Sequence, residues 1–309
     1  MKSFKGLDLF RKSVDVSEQT LSGGIITAFA FSIMLILFIS EISYYFINTV
    51  QKETLVDQDR GAKMLQINLN VTVFNAPCII LSLDQMDQMG THNVDIEGFL
   101  TKTRLSKDGS KLDKKYEMNM LNTVRMIEEQ EGCEISGHFT VNKVPGNFHI
   151  SFHATHEMMS QVPQQYLEKI DISHRINHLS FGREHRNSYI LSTFGEGEQT
   201  NFAPYDGIIK TDKQGVVAKH EYTLKIIPIQ YYDKITGEEF HSYQFSMNGS
   251  TSPIEAVFGI VYFNYDIDNI IMKYTRVYKS LPQLIISLCA ILGGVFTVLG
   301  IVNSIMQKY

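Results

Sequence analysis

Two unbroken apolar runs, one near each end of the 309-residue chain, restrict its possible folds more than any other feature. The first, residues 23–46 (GGIITAFAFSIMLILFISEISYYF), carries a single charge, Glu41, followed by Tyr44 and Tyr45, a pair suited to a membrane–water interface. The second, residues 284–306 (LIISLCAILGGVFTVLGIVNSIM), carries no charge. About 20 apolar residues rising roughly 1.5 Å each cover the ~30 Å hydrocarbon layer, so both runs are long enough to cross a bilayer as helices. A cleaved leader does not suit the first run: the largely polar residues 1–22 precede it, the apolar stretch is too long, and no small-residue cleavage site ends it. Two crossings put residues 1–22 and 307–309 on one side and residues 47–283 on the other. Gly24, Ala28 and Ser32 in the first run, and Ala290, Gly293, Thr297 and Gly300 in the second, recur at helical spacing. Small residues so placed let helix backbones approach in lipid, within the chain or with a partner.

Basic residues do not orient the chain. Lys2, Lys5, Arg11 and Lys12 before the first run face Lys52, Arg60, Lys63, Lys273, Arg276 and Lys279 inside the pair of runs, and long domains translocate largely regardless of charge. Two glycosylation sequons, starting at Asn70 and Asn248, and two of the three cysteines, Cys78 and Cys133, fall in the central segment and favour a lumenal placement. In an oxidising compartment Cys78 and Cys133 are able to form one disulfide; otherwise they are buried thiols. Cys289, inside the second run, reads as a small apolar packing residue. No C-x-x-C occurs, so thiol–disulfide exchange chemistry has no support.

Between the runs the pattern is that of short strands. Residues 65–74 (LQINLNVTVF) alternate strictly, with Leu65, Ile67, Leu69, Val71 and Val73 on one face and Asn70 toward water. Residues 139–144 and 148–152 flank Pro145-Gly146 and predict a hairpin; residues 222–232 and 240–247 flank DKITGEE and predict another, with Pro228 marking an edge strand or a bulge. Residues 257–264 suit a fully buried strand. Helical spacing is confined to residues 114–130, stopping at Gly132, and to residues 157–170, interrupted by Pro163. The fold expected is mainly β: an antiparallel β-sandwich lumenal domain between two transmembrane α-helices.

With 28 basic against 33 acidic side chains there is no excess charge to neutralise a phosphate backbone, which argues against nucleic acid. All ten histidines lie in the central segment, including His149, His153 and His156, then His174 and His178. A metal site is the sharp reading of this cluster, and a metal-dependent lumenal hydrolase the alternative function it suggests. Strand spacing opposes it, since four residues along a strand separate two imidazoles by roughly 13 Å. His149, His153, His174 and His178 are instead candidates for pH sensing, because imidazole titrates between pH 5 and 8. No nucleophile elbow, P-loop or dinucleotide fingerprint occurs, and no cofactor or catalytic group is expected.

Several stretches resemble the Erv/ERGIC family of membrane proteins that cycle between endoplasmic reticulum and Golgi. They include residues 7–12 (LDLFRK) with Ser22-Gly23-Gly24, Val56-Asp57 with Arg60-Gly61, Ala76-Pro77-Cys78, and Gly132-Cys133. The longest are residues 141–150 (VNKVPGNFHI) and 173–182 (SHRINHLSFG). The resemblance implies a lumenal β-rich domain and short cytosolic ends read by vesicle coats. It implies a hetero-oligomeric cargo receptor, paired with a related subunit, that returns lumenal proteins from the early Golgi. The membranes implied are those of the endoplasmic reticulum, the intermediate compartment and the cis-Golgi. Cys78 and Cys133 match family cysteines, which implies a lumenal disulfide, and Tyr309 resembles the bulky C-terminal residue through which some members contact the COPII coat. The cysteine-rich C-x-x-C region of the larger family subunit is missing, so the chain looks more like the smaller subunit or a divergent single form. Lys308 is penultimate, not part of a dilysine placed for COPI retrieval.

Overall fold

A computed structural model describes residues 21–47, 49–57, 64–90, 92–96, 99–112, 119–152, 156–195, 197, 200–213, 215–277 and 279–306. The chain divides into two compact units, one holding both apolar helices and one spanning Val50–Arg276.

In the first unit, α1 (Leu21–Tyr45) and α6 (Leu281–Met306) are both long and apolar enough to cross a membrane. They pack on each other. Ala30 and Met34 of α1 are buried there, and Phe31 meets Phe296 edge-on at 6.3 Å. The small-residue rows do not form this contact: Ala28 and Ser32 are exposed, and a Cβ placed at Gly293 or Gly300 would touch nothing within 4 Å. Bulkier side chains cover the seam, because a helix pair that wraps Met and Phe side chains together gains dispersion contacts without close backbone approach. The one charge of the first run is neutralised within this unit, since Lys279 Nζ donates to Glu41 Oε1 at 2.9 Å and lies 4.1 Å from the Tyr44 ring.

The second unit is a two-sheet sandwich. One sheet has eight strands: β1 (Thr49–Val56), β3 (Ser82–Asp87), β4 (His92–Asn93), β7 (Gly146–Ser151), β10 (Ala218–Asp233), β11 (Glu239–Pro253), β12 (Ile260–Ile267) and β13 (Ile270–Val277). The other has five, in the order β5 (Phe99–Leu105), β6 (Gly132–Asn142), β2 (Met64–Val73), β8 (His174–Phe181) and β9 (Ile209–Lys210). The alternation in β2 falls as expected, with Leu65, Ile67, Leu69, Val71 and Val73 at 2% exposure or less against the facing sheet. An aromatic row closes the core: Phe139 meets Phe148, which stacks on Phe263, which stacks on Tyr222 at 5.0 Å. Each such pair contributes about 0.5–1.5 kcal/mol beyond its buried area.

The hairpin β10–β11 forms with Tyr232 opposite Glu239. Pro228 lies in its inner strand, and β12 and β13 run parallel to β10 on the other side. Ile226 pairs with Ile267 and Ile229 with Met272, so the four residues 268–271 bulge out opposite Ile227 and Pro228. Of the two settings expected for Pro228 the bulge is the one found; it removes the ladder partner for the missing N–H. Pro145-Gly146 does not close a hairpin. β6 pairs with β2 and β5, whereas β7 pairs with β3 and β12, so the chain turns a corner from one sheet into the other. Residues 257–264 also differ from expectation. The strand is β12, and it is half-buried, with Val261, Phe263, Tyr265 and Ile267 inward and Tyr262, Asn264 and Asp266 outward.

Within the segment expected to be helical, α2 (Met120–Glu128) is capped by Asn119, whose side chain accepts from Asn122 N at 2.9 Å; residues 113–118 lie outside the described residues. Pro163 splits the other into α3 (His156–Met159) and α4 (Gln164–Leu167). A helix the sequence did not announce, α5 (Glu184–Phe194), buries Ile190 and Phe194 with Phe202, Ile229, Tyr231 and Tyr274 in a separate small core. Gly137 lets β5 lie against β6: its φ is 137°, and a Cβ there would collide with the Phe99 carbonyl.

Candidate functional site

The polar groups of the central unit concentrate on and beside β8. In this strand His174, Ile176, Leu179 and Phe181 point into the sandwich and Arg175, Asn177 and His178 point away, the phase shifting at an irregularity between Asn70 and Val71 of its partner β2.

His174 is fully buried. Its Nδ1 lies 2.9 Å from the Ile172 carbonyl, which only accepts, so Nδ1 carries the proton and Nε2 accepts from the Tyr222 hydroxyl at 2.8 Å. That bond joins the two sheets at the end of the aromatic row. Burial lowers the His174 pKa to about 4, outweighing the Ile172 carbonyl, so the ring is neutral throughout pH 5–8. The neighbouring ring of His220, 5.1 Å away, donates from Nε2 to Asp212 Oδ1 at 2.7 Å and meets Thr251 Oγ1 through Nδ1 at 2.9 Å. Asp212 is held in turn by Ile172 N at 2.9 Å and donates its own N–H to Ser173 Oγ at 2.9 Å.

His178 has the opposite setting. Its Nδ1 lies 2.7 Å from Asp206 Oδ2 and its Nε2 2.6 Å from Glu184 Oε1. Both partners only accept, so both nitrogens donate. Partial burial works against the charged ring, but Asp206 and Glu184 outweigh it and raise the pKa. His149 on β7 is buried, stacks on Tyr262 at 4.5 Å, and places Nε2 3.5 Å from Asp84 Oδ2, a carboxylate that also accepts from Ser151 Oγ and Asp95 N. His153 lies outside the described residues, as does Tyr309. The histidines are thus spread over separate networks. Among the described residues no group of three or more His, Cys, Asp or Glu is placed to hold a metal, and the hydrolase alternative gains no support.

Cys78, in a turn after β2, and Cys133, opening β6, are joined in a disulfide with Cα atoms 4.8 Å apart. Of the two sequons, Asn248 is exposed on β11. Asn70 is only half-exposed and its amide is occupied, Nδ2 donating to Glu134 at 3.1 Å and Oδ1 accepting from Asn177 at 2.8 Å.

The stretch at residues 141–150 holds the corner between sheets. Lys143 donates to Asp57 Oδ2 at 2.7 Å, both side chains at 6% exposure or less, and Asn142 donates to Asp87 Oδ2 at 2.8 Å. Sequence reasoning missed His220, Asp212 and the Lys143–Asp57 pair. His220 had a usable signal, since it shares the inward alternation of Tyr222 and Leu224; Asp212 and Asp57 sit outside regular strands and offered none.

Residues 99–303 match the family described as "Endoplasmic reticulum vesicle transporter", and residues 4–94 match "Endoplasmic Reticulum-Golgi Intermediate Compartment (ERGIC)". Endoplasmic reticulum-Golgi intermediate compartment protein 1 of Xenopus laevis is 31% identical over 310 residues, covering 97% of this chain and 92% of its own length. Probable endoplasmic reticulum-Golgi intermediate compartment protein 3 of Dictyostelium discoideum is 28% identical, covering 98% and 94%. The crystal structure of Erv41p matches 72% of this chain and 99% of its own at a TM-score of 0.50 and 20% identity, a likeness of fold. The chain belongs to the Erv/ERGIC family of endoplasmic reticulum vesicle transporters.

Proposed function

We propose that this chain is a cargo receptor subunit that cycles between endoplasmic reticulum and Golgi in coated vesicles and sorts or retrieves lumenal proteins. The observation that carries the reading is the family match over about two-thirds of the chain, joined to a chain order in which an apolar helix precedes and another follows a disulfide-tied β-sandwich. The sandwich, residues 47–283, faces the lumen, where an oxidising medium keeps Cys78–Cys133 closed. Residues 1–22 and 307–309 face the cytosol, where Tyr309 engages the vesicle coat. A related family subunit completes a hetero-oligomer in the membrane. The membranes occupied are those of the endoplasmic reticulum, the intermediate compartment and the cis-Golgi. Asn248 carries a glycan and Asn70 does not, since Asn248 is exposed whereas the Asn70 amide is half-buried and engaged by Glu134 and Asn177. His178, whose pKa Asp206 and Glu184 raise, and His149, beside Asp84, are the groups through which lumenal pH acts.

The test is protease digestion of sealed microsomes together with removal of the chain from cells. The central unit should survive digestion while both tips are cut, Asn248→Gln alone should abolish the endoglycosidase-sensitive mobility shift, and loss of the chain should release lumenal residents. Digestion of the sandwich, or unchanged retention of residents, refutes the reading.

A further inference from the structure

The outward face of the five-stranded sheet carries a polar groove of about 580 Å³ between the Ser106–Ser110 turn and the ends of β2 and β8. Its floor is Asn70, Thr72 and Asn177, locked together by Asn177 Nδ2, which donates to Asn70 Oδ1 and to Thr72 Oγ1 at 2.8 Å each. Of its charged lining groups, Glu134 is neutralised by Lys111 at 3.0 Å, and Asp108, which keeps its negative charge, accepts from the Ser106 and Ser110 hydroxyls of its own turn. Arg175 and Lys107 remain. Both line the groove, both are exposed, and neither has a side-chain partner among the described residues.

Arg175 stands out within its own strand. Ser173, His174, Asn177, His178 and Ser180 all spend their polar groups on internal hydrogen bonds, and Ile176, Leu179 and Phe181 are core. Gly182 supplies a positive φ of 87°. The guanidinium alone is left with its donors uncommitted, over a rigid floor, beside a second cation. A planar fork of N–H donors in that setting matches a carboxylate in bidentate geometry.

We propose that this groove docks an acidic segment of a partner protein, one aspartate or glutamate carboxylate seated on Arg175 and a second steered by Lys107. The proposal rests on the cargo-receptor reading and names the chemistry of what is bound. The unspent Thr72 hydroxyl proton and Asn177 Oδ1 are available to the backbone of the bound segment. The engaged amide of Asn70 keeps the floor closed to a glycan that would fill the groove.

The experiment measures binding of a fluorescent aspartate-rich peptide to the full chain in mild detergent, against the same peptide with asparagine in place of aspartate. The aspartate peptide should bind at least tenfold tighter. Arg175→Gln should remove that difference, Arg175→Lys should retain part of it, and Lys225→Gln, on the other sheet, should leave it intact. Because Arg175 is exposed and has no side-chain partner among the described residues, its replacement leaves the unfolding midpoint unchanged. Equal binding of both peptides, indifference to Arg175→Gln, or displacement by inorganic phosphate at the concentration of free aspartate peptide would each overturn the proposal. If peptide binding fails while residents are still lost from cells lacking the chain, the receptor reading stands and only this site falls.

Discussion

Replacing Lys143 by Met separates the two terms of a buried ion pair. Its ammonium, 6% exposed, lies 2.7 Å from Asp57 Oδ2, 5% exposed, and 6.0 Å from the Tyr243 ring, at the corner where the chain leaves one sheet for the other. Burial, and then the Asp57 charge, push the Tyr243 hydroxyl pKa up, as expected of a site with little water. Methionine preserves most of the stem volume but takes the ammonium away from a buried carboxylate. Removing one partner of a buried pair costs about 3–5 kcal/mol. For a unit of this size that is a fall of roughly 6–20 °C in the unfolding midpoint. The chain has no tryptophan, so the transition is best followed by near-ultraviolet circular dichroism of its 15 tyrosines in the purified full chain. The companion variant Lys143→Met/Asp57→Leu removes both charges and should recover most of the loss, whereas Lys225→Met, whose ammonium is 47% exposed, should stay within about 1 kcal/mol. A Lys143→Met midpoint within about 2 °C of the parent, or a double variant no better than the single one, refutes the argument that losing the ammonium beside a buried carboxylate dominates.

Opening the Cys78–Cys133 bridge with Cys133→Ser frees a 55-residue loop in the unfolded chain, and loss of about 4 kcal/mol is expected from the loop length, read as a lower midpoint that reductant no longer shifts. Gly137→Ala forces a side chain into a φ of 137° against the Phe99 carbonyl; strain alone is worth about 1–3 kcal/mol, measured by the same melt. His174 binds its proton near pH 4 when folded and near 6.5 when unfolded, so its contribution is complete above pH 6.5 and is lost as pH falls toward 4, about 3 kcal/mol in all. A His174→Gln variant should therefore show a shallower decline of stability over that interval, and an unchanged slope would remove the assignment.

Where one face of an element is buried and the other is wet, the sequence announced it. The strict alternation of residues 65–73 can only serve a strand in one phase, because a slip by one residue would turn Leu65, Ile67 and Leu69 outward. The long hairpin was legible for the same reason. Pro145-Gly146 was not, because the local chemistry of a tight turn is the same whether the next strand pairs with the last or departs to a facing sheet. What decides it is distant: Phe148 pairs with Phe263 and Gln85, and Lys143 is drawn to Asp57. Helix α5 escaped notice because only Ile190 and Phe194 are buried, too few apolar positions to set a period of 3.6. Among the histidines, proximity in sequence grouped His149 with His174 and His178, but His149 stands on β7 in the facing sheet and the irregularity between Asn70 and Val71 turns His178 outward while His174 stays inward, so the network that formed joins His174 to His220 across the sandwich.

The stretches that carry the family resemblance therefore do unequal work. Residues 141–150 supply a sheet-to-sheet corner fixed by Lys143 and Asn142, and in residues 173–182 the inward side chains tie β8 to β10 through His174 and Tyr222. Those positions serve the packing of this sandwich. Arg175 answers to no such need, since no side chain among the described residues holds it and an uncharged side chain would leave the sandwich intact. A guanidinium kept solvated over a hydrogen-bonded floor adds little to folding stability, so Arg175→Gln tests docking of an acidic segment without disturbing the fold.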